Sequence, residues 1–264
     1  MIWRLLDTGK RNGFDNMAID EAILVVHSRG RNLPTLRFYG WDPPALTLGY
    51  FQKPGDTVDF EACRRLGIDV VRRPTGGRAV LHQNEVTYSV IAGEDNPLVA
   101  GTVEQSYLRL SRGLLLGLRS LGADVTLNEV RVPAGKGAAC FDSPAIYELV
   151  VNGRKLAGNA QCRREGCVLQ HGALPVVNDP RALFDILRFS SEEAREYQRL
   201  RFSQSAISLE EALGRPVESG EVAAALARGF AEALEIELVP GDLSDEELEI
   251  ADKLSKEKYR VLKL

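Results

Sequence analysis

The dipeptide Asn152-Gly153 constrains this chain more than any other local feature. It separates two strand-like stretches, AIYELVV and RKLAGNAQCR, and Asn-Gly suits a type I′ turn because both central residues there need positive φ. The spacing predicts a hairpin. After Arg164-Glu165-Gly166 the stretch CVLQHGALPV adds a further strand, giving three successive antiparallel strands from Ala145 to Val176. Upstream, PTLRFYGW alternates, with Leu36 and Phe38 on one side and Arg37 and Tyr39 on the other. ALTLGYFQ, IDVVRR and NEVTYSVIAG also read as strands, and Val86, Tyr88 and Val90 share one face of the last.

Helices are expected over Asn16–Ser28, Phe60–Gly67 and Val103–Leu121. From Asp179 the character turns helical. Ser190, Ser208 and Ser244 each stand three residues before a glutamate, as in a capping box, and Val222, Leu226, Phe230 and Leu234 form a stripe. Strands and helices do not alternate regularly, which disfavours a Rossmann fold. The expected class is α+β, with mixed or antiparallel sheets, flanking helices and a helical C-terminal segment. The 264 residues are read as one unit, with a core over 1–218 and an extension over 219–264 packed on it.

Lys and Arg number 33 against 37 Asp and Glu, which disfavours a nucleic-acid binder. Residues 219–264 carry 11 acids and 6 bases, so the acidity is concentrated in the tail, where a solvated helical face explains it. No apolar run approaches the ~18 residues of a membrane span, and the opening residues lack the apolar core of a secretory leader. A cytoplasmic protein without membrane association is expected. Its four cysteines are then reduced, and Cys162-x4-Cys167 lacks zinc-ribbon spacing, so no metal is expected.

RRPTGGRAVLH (72–82) is the densest candidate site. Arg72, Arg73 and Arg78 surround Gly76 and Gly77, a pattern that can hold an anion or polarised carbonyl, or can simply be a hairpin turn with solvated arginines. It is not a P-loop. His82 reads as a structural histidine on the same footing. Cys140 lies in a glycine-rich loop over 130–144, and its residue type allows either a buried apolar thiol or a nucleophile. A nucleophile needs a neighbouring cation or base. Lys155, at the start of the second hairpin strand, is one candidate, and an exposed turn lysine is the plainer reading. Gly172 after His171 suggests a bulge or a close ligand approach. Cys63, Cys162 and Cys167 read as structural.

NMAIDEA, TLRFYGWDPPALTLGYFQ, DVVRRPTGGRAVLHQNEVTYSV, YELVVNGRKLAGNAQCR and LQHGAL run in one order from Met17 to Leu174. In that order they resemble the lipoate–protein ligase and octanoyltransferase superfamily, related in fold to biotin–protein ligases. ATP-dependent ligases typically carry a third Gly where this chain has Arg78 and an Asp where it has Gln83. ACFDSPAIYELVV is instead similar to the cysteine-dependent octanoyltransferases.

The resemblance implies Cys140 as nucleophile and Lys155 as its acid/base partner. It implies substrate contacts from Arg72, Arg73, Gly76, Gly77, Arg78, His82, Gly158, Asn159, Ala160, His171 and Gly172, with Asn159 standing where the family often has Ser. The implied reaction moves octanoyl from acyl carrier protein, through a Cys thioester, to a lysine of a lipoyl domain such as the glycine-cleavage H protein, with no ATP or metal. An ATP-dependent ligase, an amidotransferase acting between lipoyl domains and a non-catalytic sensor of lipoylated proteins are the alternatives. Cys140 favours the transferases over the ligase, and Cys140 with Lys155 disfavours the sensor. Leu46 and Leu48 are offered as part of the acyl slot.

Overall fold

The structure is a computed structural model and describes residues 1–53, 55, 57–130 and 146–261. Strand β1 (Ile2–Arg11) leads into helix α1 (Gly13–Ser28), followed by strands β2 (Thr35–Trp41) and β3 (Ala45–Leu48). Helix α2 (Phe60–Arg65), strands β4 (Asp69–Arg72), β5 (Val80–His82) and β6 (Glu85–Gly93) and helix α3 (Val103–Ser120) complete the first half. Strands β7 (Thr126–Leu127), β8 (Leu149–Val151), β9 (Arg154–Lys155), β10 (Gly158–Arg164) and β11 (Cys167–Pro175) come next. Helices α4 (Pro180–Asp185), α5 (Glu192–Ser205), α6 (Leu209–Leu213) and α7 (Ser219–Leu234) follow, then strand β12 (Glu237–Pro240) and helix α8 (Asp245–Leu254).

Six strands form the main sheet in the order β10-β11-β6-β2-β1-β12. β1 runs parallel to both β2 and β12, and the other pairings are antiparallel. The class is α+β, as the strand pattern implies. The alternation read from β2 holds: Leu36 and Phe38 face α3 and α7 with Tyr88 and Val90, while Tyr39 faces α1 with Met17 and Ile23. Both faces are covered, so β6 is buried from Glu85 to Ala92. Two smaller sheets, β4-β3-β5 and β7-β8-β9, flank this layer.

The structure corrects several sequence expectations. β1 was not foreseen, because its polar residues hide the strand signal in a segment that pairs along both edges. α1 begins three residues before Asn16. Asn12 is the cap and accepts from the Asp15 N–H, while Asn16 lies fully buried inside the helix. The three-strand meander is interrupted. β9 pairs with β8 in the small sheet, the chain crosses at buried Leu156 and Ala157, and β10 joins the main sheet against β11. The turn itself is as expected, with positive φ at Asn152 and Gly153.

Ser191 rather than Ser190 caps α5, and Ser208 precedes α6 without a side-chain cap bond. Ser244 and Glu247 do form a capping box. The C-terminal segment is not wholly helical, because β12 adds a strand to the edge of the main sheet. Beyond it α8 lies on α1, and Glu247 takes the Arg4 guanidinium at 2.6 Å.

α3 and α7 touch backbone to backbone. A Cβ on Gly229 would stand 2.3 Å from the Gly117 nitrogen and 2.4 Å from the Gly113 oxygen. Val222, Leu226, Phe230 and Leu234 are all buried along this contact, as the stripe requires. Gly229→Ala is therefore expected to force the helices apart and cost about 1–3 kcal/mol in urea unfolding. Gly220→Ala, with no heavy atom within 4 Å of its Cβ, is expected to be neutral or slightly stabilising.

Candidate active site

Two arginines at the end of β4 tie down the chain around them: Arg72 holds the segment after β3, and Arg73 holds the turn between β4 and β5. Arg72 Nη1 donates to the carbonyls of Gly49, Tyr50 and Gln52 at 2.8–2.9 Å. Buried Arg73 donates to the carbonyls of Gly76, Arg78 and Thr47, and to Thr47 Oγ1 at 3.0 Å. Gly77 is required here: its φ is +96°, and a Cβ would press on Arg73 Nη2 at 2.6 Å. Gly76 has open space around it. The sequence reading gave these arginine heads to the substrate, and the structure places them on backbone carbonyls.

Two histidines stand behind this turn, each between a carboxylate and a threonine. His82 Nδ1 donates to Glu85 Oε1 at 2.7 Å, and Nε2 accepts from Thr47 Oγ1 at 2.8 Å. The imidazole stacks on Trp41 at 4.2 Å. Glu85 also accepts from Trp41 Nε1 and Thr87 Oγ1. His171 Nε2 accepts from Thr75 Oγ1 at 2.6 Å, and its Nδ1 faces Asp20 Oδ2 at 3.5 Å. These partners assign the proton of each ring to Nδ1. Burial pushes the His171 imidazole below its usual 6.5, against the pull of Asp20. Burial would raise the Asp20 carboxyl, but Arg37 at 2.6 Å and the bonds from His171 and Ser89 bring it below its ordinary value.

A narrow cleft opens between these groups, with about 30 Å³ of enclosed space. Met17, Tyr39 and Trp41 form one wall and β10 and β11 the other. Of the residues singled out in the sequence, Arg73, His82, Gly158, Asn159, Ala160, His171 and Gly172 line it, whereas Arg72, Gly76, Gly77, Arg78 and Lys155 do not. The most enclosed lining residues include Met17 and Thr47, each 1% exposed, while Val80, Gly158 and Ala160 are partly exposed and mark the mouth.

Gly172 makes no bulge, since its register with Asn159 and Tyr88 is continuous. It gives way to Asn159, whose Oδ1 would stand 1.9 Å from a Cβ at Gly172. Asn159 Oδ1 accepts from Tyr88 and its Nδ2 donates to Tyr107 on α3, so this side chain turns to the opposite face of the sheet. Leu46 and Leu48 do not line the cleft. They are fully buried with Val58 and Cys63 in a separate cluster.

Cys140 lies outside the described residues. Lys155 is not an exposed turn lysine: it is 2% exposed, and its Nζ donates to Glu148 Oε1 at 2.7 Å. It lies three residues before Gly158 at the cleft mouth. Cys63, Cys162 and Cys167 are free thiols, each pushed up to about 11 by burial and so poor nucleophiles. Asp20, Glu85, Thr47, Trp41 and Glu148 were missed. All five stand inside the ordered motifs quoted above, and that was the available signal.

Among the described residues no group of three His, Cys, Asp or Glu could hold a metal ion, and no helix is long and apolar enough to cross a membrane. Residues 12–231 match the model of the lipoyl protein ligase A/B catalytic domain. Octanoyltransferase LipM of Kyrpidia tusciae is 52% identical, over 96% of this chain and 94% of that protein. The LipM octanoyltransferase of Moorella thermoacetica is 48% identical, over 93% and 91%. Among solved structures, a bipartite lipoate protein ligase from Thermoplasma acidophilum superposes with a TM-score of 0.83 at 27% identity, covering 99% of this chain and 95% of that one. Lipoate-protein ligase A bound with ATP superposes at 0.80, also with 27% identity, covering 98% and 96%. The chain belongs to the lipoyl protein ligase A/B catalytic domain family.

Proposed function

We propose that this protein is an octanoyltransferase of lipoate biosynthesis, with Cys140 as the temporary acyl carrier. The observation that carries the reading is the 52% identity to a LipM octanoyltransferase over nearly the whole chain, well above the 27% shared with the ligase structures. In this reading the Cys140 thiolate attacks the thioester carbonyl of octanoyl-acyl carrier protein, and the carrier thiol leaves. A lysine amine of a lipoyl domain, such as the glycine-cleavage H protein, then attacks the Cys140 thioester and releases the thiolate. The first exchange trades one thioester for another, and the second makes a more stable amide, so neither step needs ATP or a metal. Lys155 takes the thiol proton and returns it to the departing carrier sulfur, then takes the acceptor amine's proton and returns it to Cys140. N–H groups at Gly76 and Gly77 are offered for the tetrahedral oxyanion, with Arg73 holding the turn that carries them and Arg72 and Arg78 flanking it. Residues 1–264 act as one cytoplasmic catalytic unit, with 219–264 packed on 1–218.

The cleft suits the acyl tail. Its walls are mostly apolar, its mouth lies near the hairpin of Lys155, and both imidazoles present an acceptor nitrogen already occupied by a threonine hydroxyl. An apolar lining with a few placed polar groups is the usual character of a ligand site. His82, His171, Gly158, Ala160 and Gly172 are its substrate-facing residues, and Asn159 supports it from behind.

Mixing the protein with octanoyl carrier protein in the absence of ATP is expected to add one octanoyl group to Cys140 by intact mass. Cys140→Ala should remove both the adduct and transfer, and wild-type transfer by that variant overturns the thioester route. Loading only from free octanoate or lipoate with ATP supports a ligase, and loading only from an acylated lipoyl domain supports an amidotransferase.

A stability measurement tests the buried imidazole. The unfolded chain takes up the His171 proton as pH falls below about 6.5, while the folded site resists it, so stability is retained above 6.5 and lost as pH falls toward the lower folded value. Thermal unfolding should show this loss, and it should be shallower in His171→Gln.

A further inference from the structure

We infer that Glu148 is a positioning residue for Lys155, and that the lysine's contribution to acyl transfer depends on this carboxylate. The inference rests on the reading of Lys155 as the proton-moving group. Lys155 Nζ and Glu148 Oε1 are 2.7 Å apart, with side chains 3% and 5% exposed. When the amine takes up a proton, an ammonium this enclosed is strongly unfavourable without a carboxylate beside it, and Glu148 at this distance stabilises that protonated state.

The backbone prepares the contact. Glu148 immediately precedes β8, and its carbonyl accepts from the Asn128 N–H at 2.8 Å. Lys155 pairs with Val150 across the hairpin, in a register set by Asn152-Gly153, and its carbonyl accepts from the Ile207 N–H at 3.0 Å. Both main chains are therefore fixed. The lysine stem turns about four bonds, and an N–H anchored on Glu148 favours one direction for it. Arg154, the neighbouring cation, is engaged with Glu211 and the Ala206 carbonyl and so does not compete. An ion pair serving only to hold the hairpin could be replaced by an apolar pair at little cost. A pair that aims an amine could not.

A double-mutant cycle separates these cases. The wild type, Glu148→Gln, Lys155→Met and the double variant are each mixed with octanoyl carrier protein, and Cys140 acylation is followed by mass in single turnover, with steady-state kinetics and thermal unfolding alongside. Lys155→Met is expected to slow acylation about 10²–10⁴-fold. Glu148→Gln is expected to slow it on the order of 10²-fold with KM for the donor unchanged. The double variant should be no slower than Lys155→Met, and Glu148→Asp should recover part of the rate.

A wild-type rate in Glu148→Gln beside a slow Lys155→Met overturns the inference alone, as do losses that multiply in the double variant. A wild-type rate in Lys155→Met overturns the reading of the lysine and this inference with it. Should Glu148→Gln fail to fold, Glu148→Asp keeps the charge and draws it back by one methylene. A slowed rate with unchanged KM in that variant supports the inference, and a wild-type rate overturns it.

Discussion

Arg37 has no contact with solvent, and its guanidinium is fixed by Asp20 at 2.6 Å. Arg37 also donates to the Asn16 carbonyl, Asn16 Oδ1 and Thr8 Oγ1, and Asp20 accepts from Ser89 and Tyr39. One charge pair thus joins β1, α1, β2 and β6. Burying two charges costs several kcal/mol per ion unless each remaining donor and acceptor is met, and here the network supplies those partners. The seat of α1 on the sheet, and with it the Met17 and Tyr39 wall of the cleft, depends on this pair. His171 carries the network onward to Thr75 and the arginine-stitched turn.

The two imidazoles explain how an apolar tail can lie beside polar groups. A carboxylate fixes the proton of each ring, and a threonine hydroxyl occupies the other nitrogen. Little hydrogen-bonding capacity is left facing the cleft, so filling it with hydrocarbon strands few polar atoms. The same pattern occurs twice, on β5 and on β11, in segments far apart in sequence.

Strands with clear alternation, such as β2, and helices with a clear stripe, such as α7, were legible because each buries a face whose period the residues must follow. β1 and β12 were not. They are parallel partners far apart in the chain, and their pairing leaves no local pattern. The sheet change at Leu156 and Ala157 was equally silent, since two short apolar residues suit a continuous strand as well as a crossing. At the cleft, glycines and histidines could be picked out by type. Their partners Asp20, Glu85 and Thr47 stand inside the ordered motifs, but their pairing with the histidines arises only through tertiary contacts. Arg73 shows the converse: a cation beside a glycine-rich turn can bond to the carbonyls of the turn itself.

The borders of the six-stranded sheet have a consequence for how the protein behaves at high concentration. β12 is four residues long and ends at Pro240, which cannot donate to a further ladder. β10, at the other border, ends in Arg163 and Arg164. A brief proline-closed margin on one flank and a pair of guanidinium groups on the other are both poor templates for strand addition, so self-association through open sheet margins is discouraged by the fold itself.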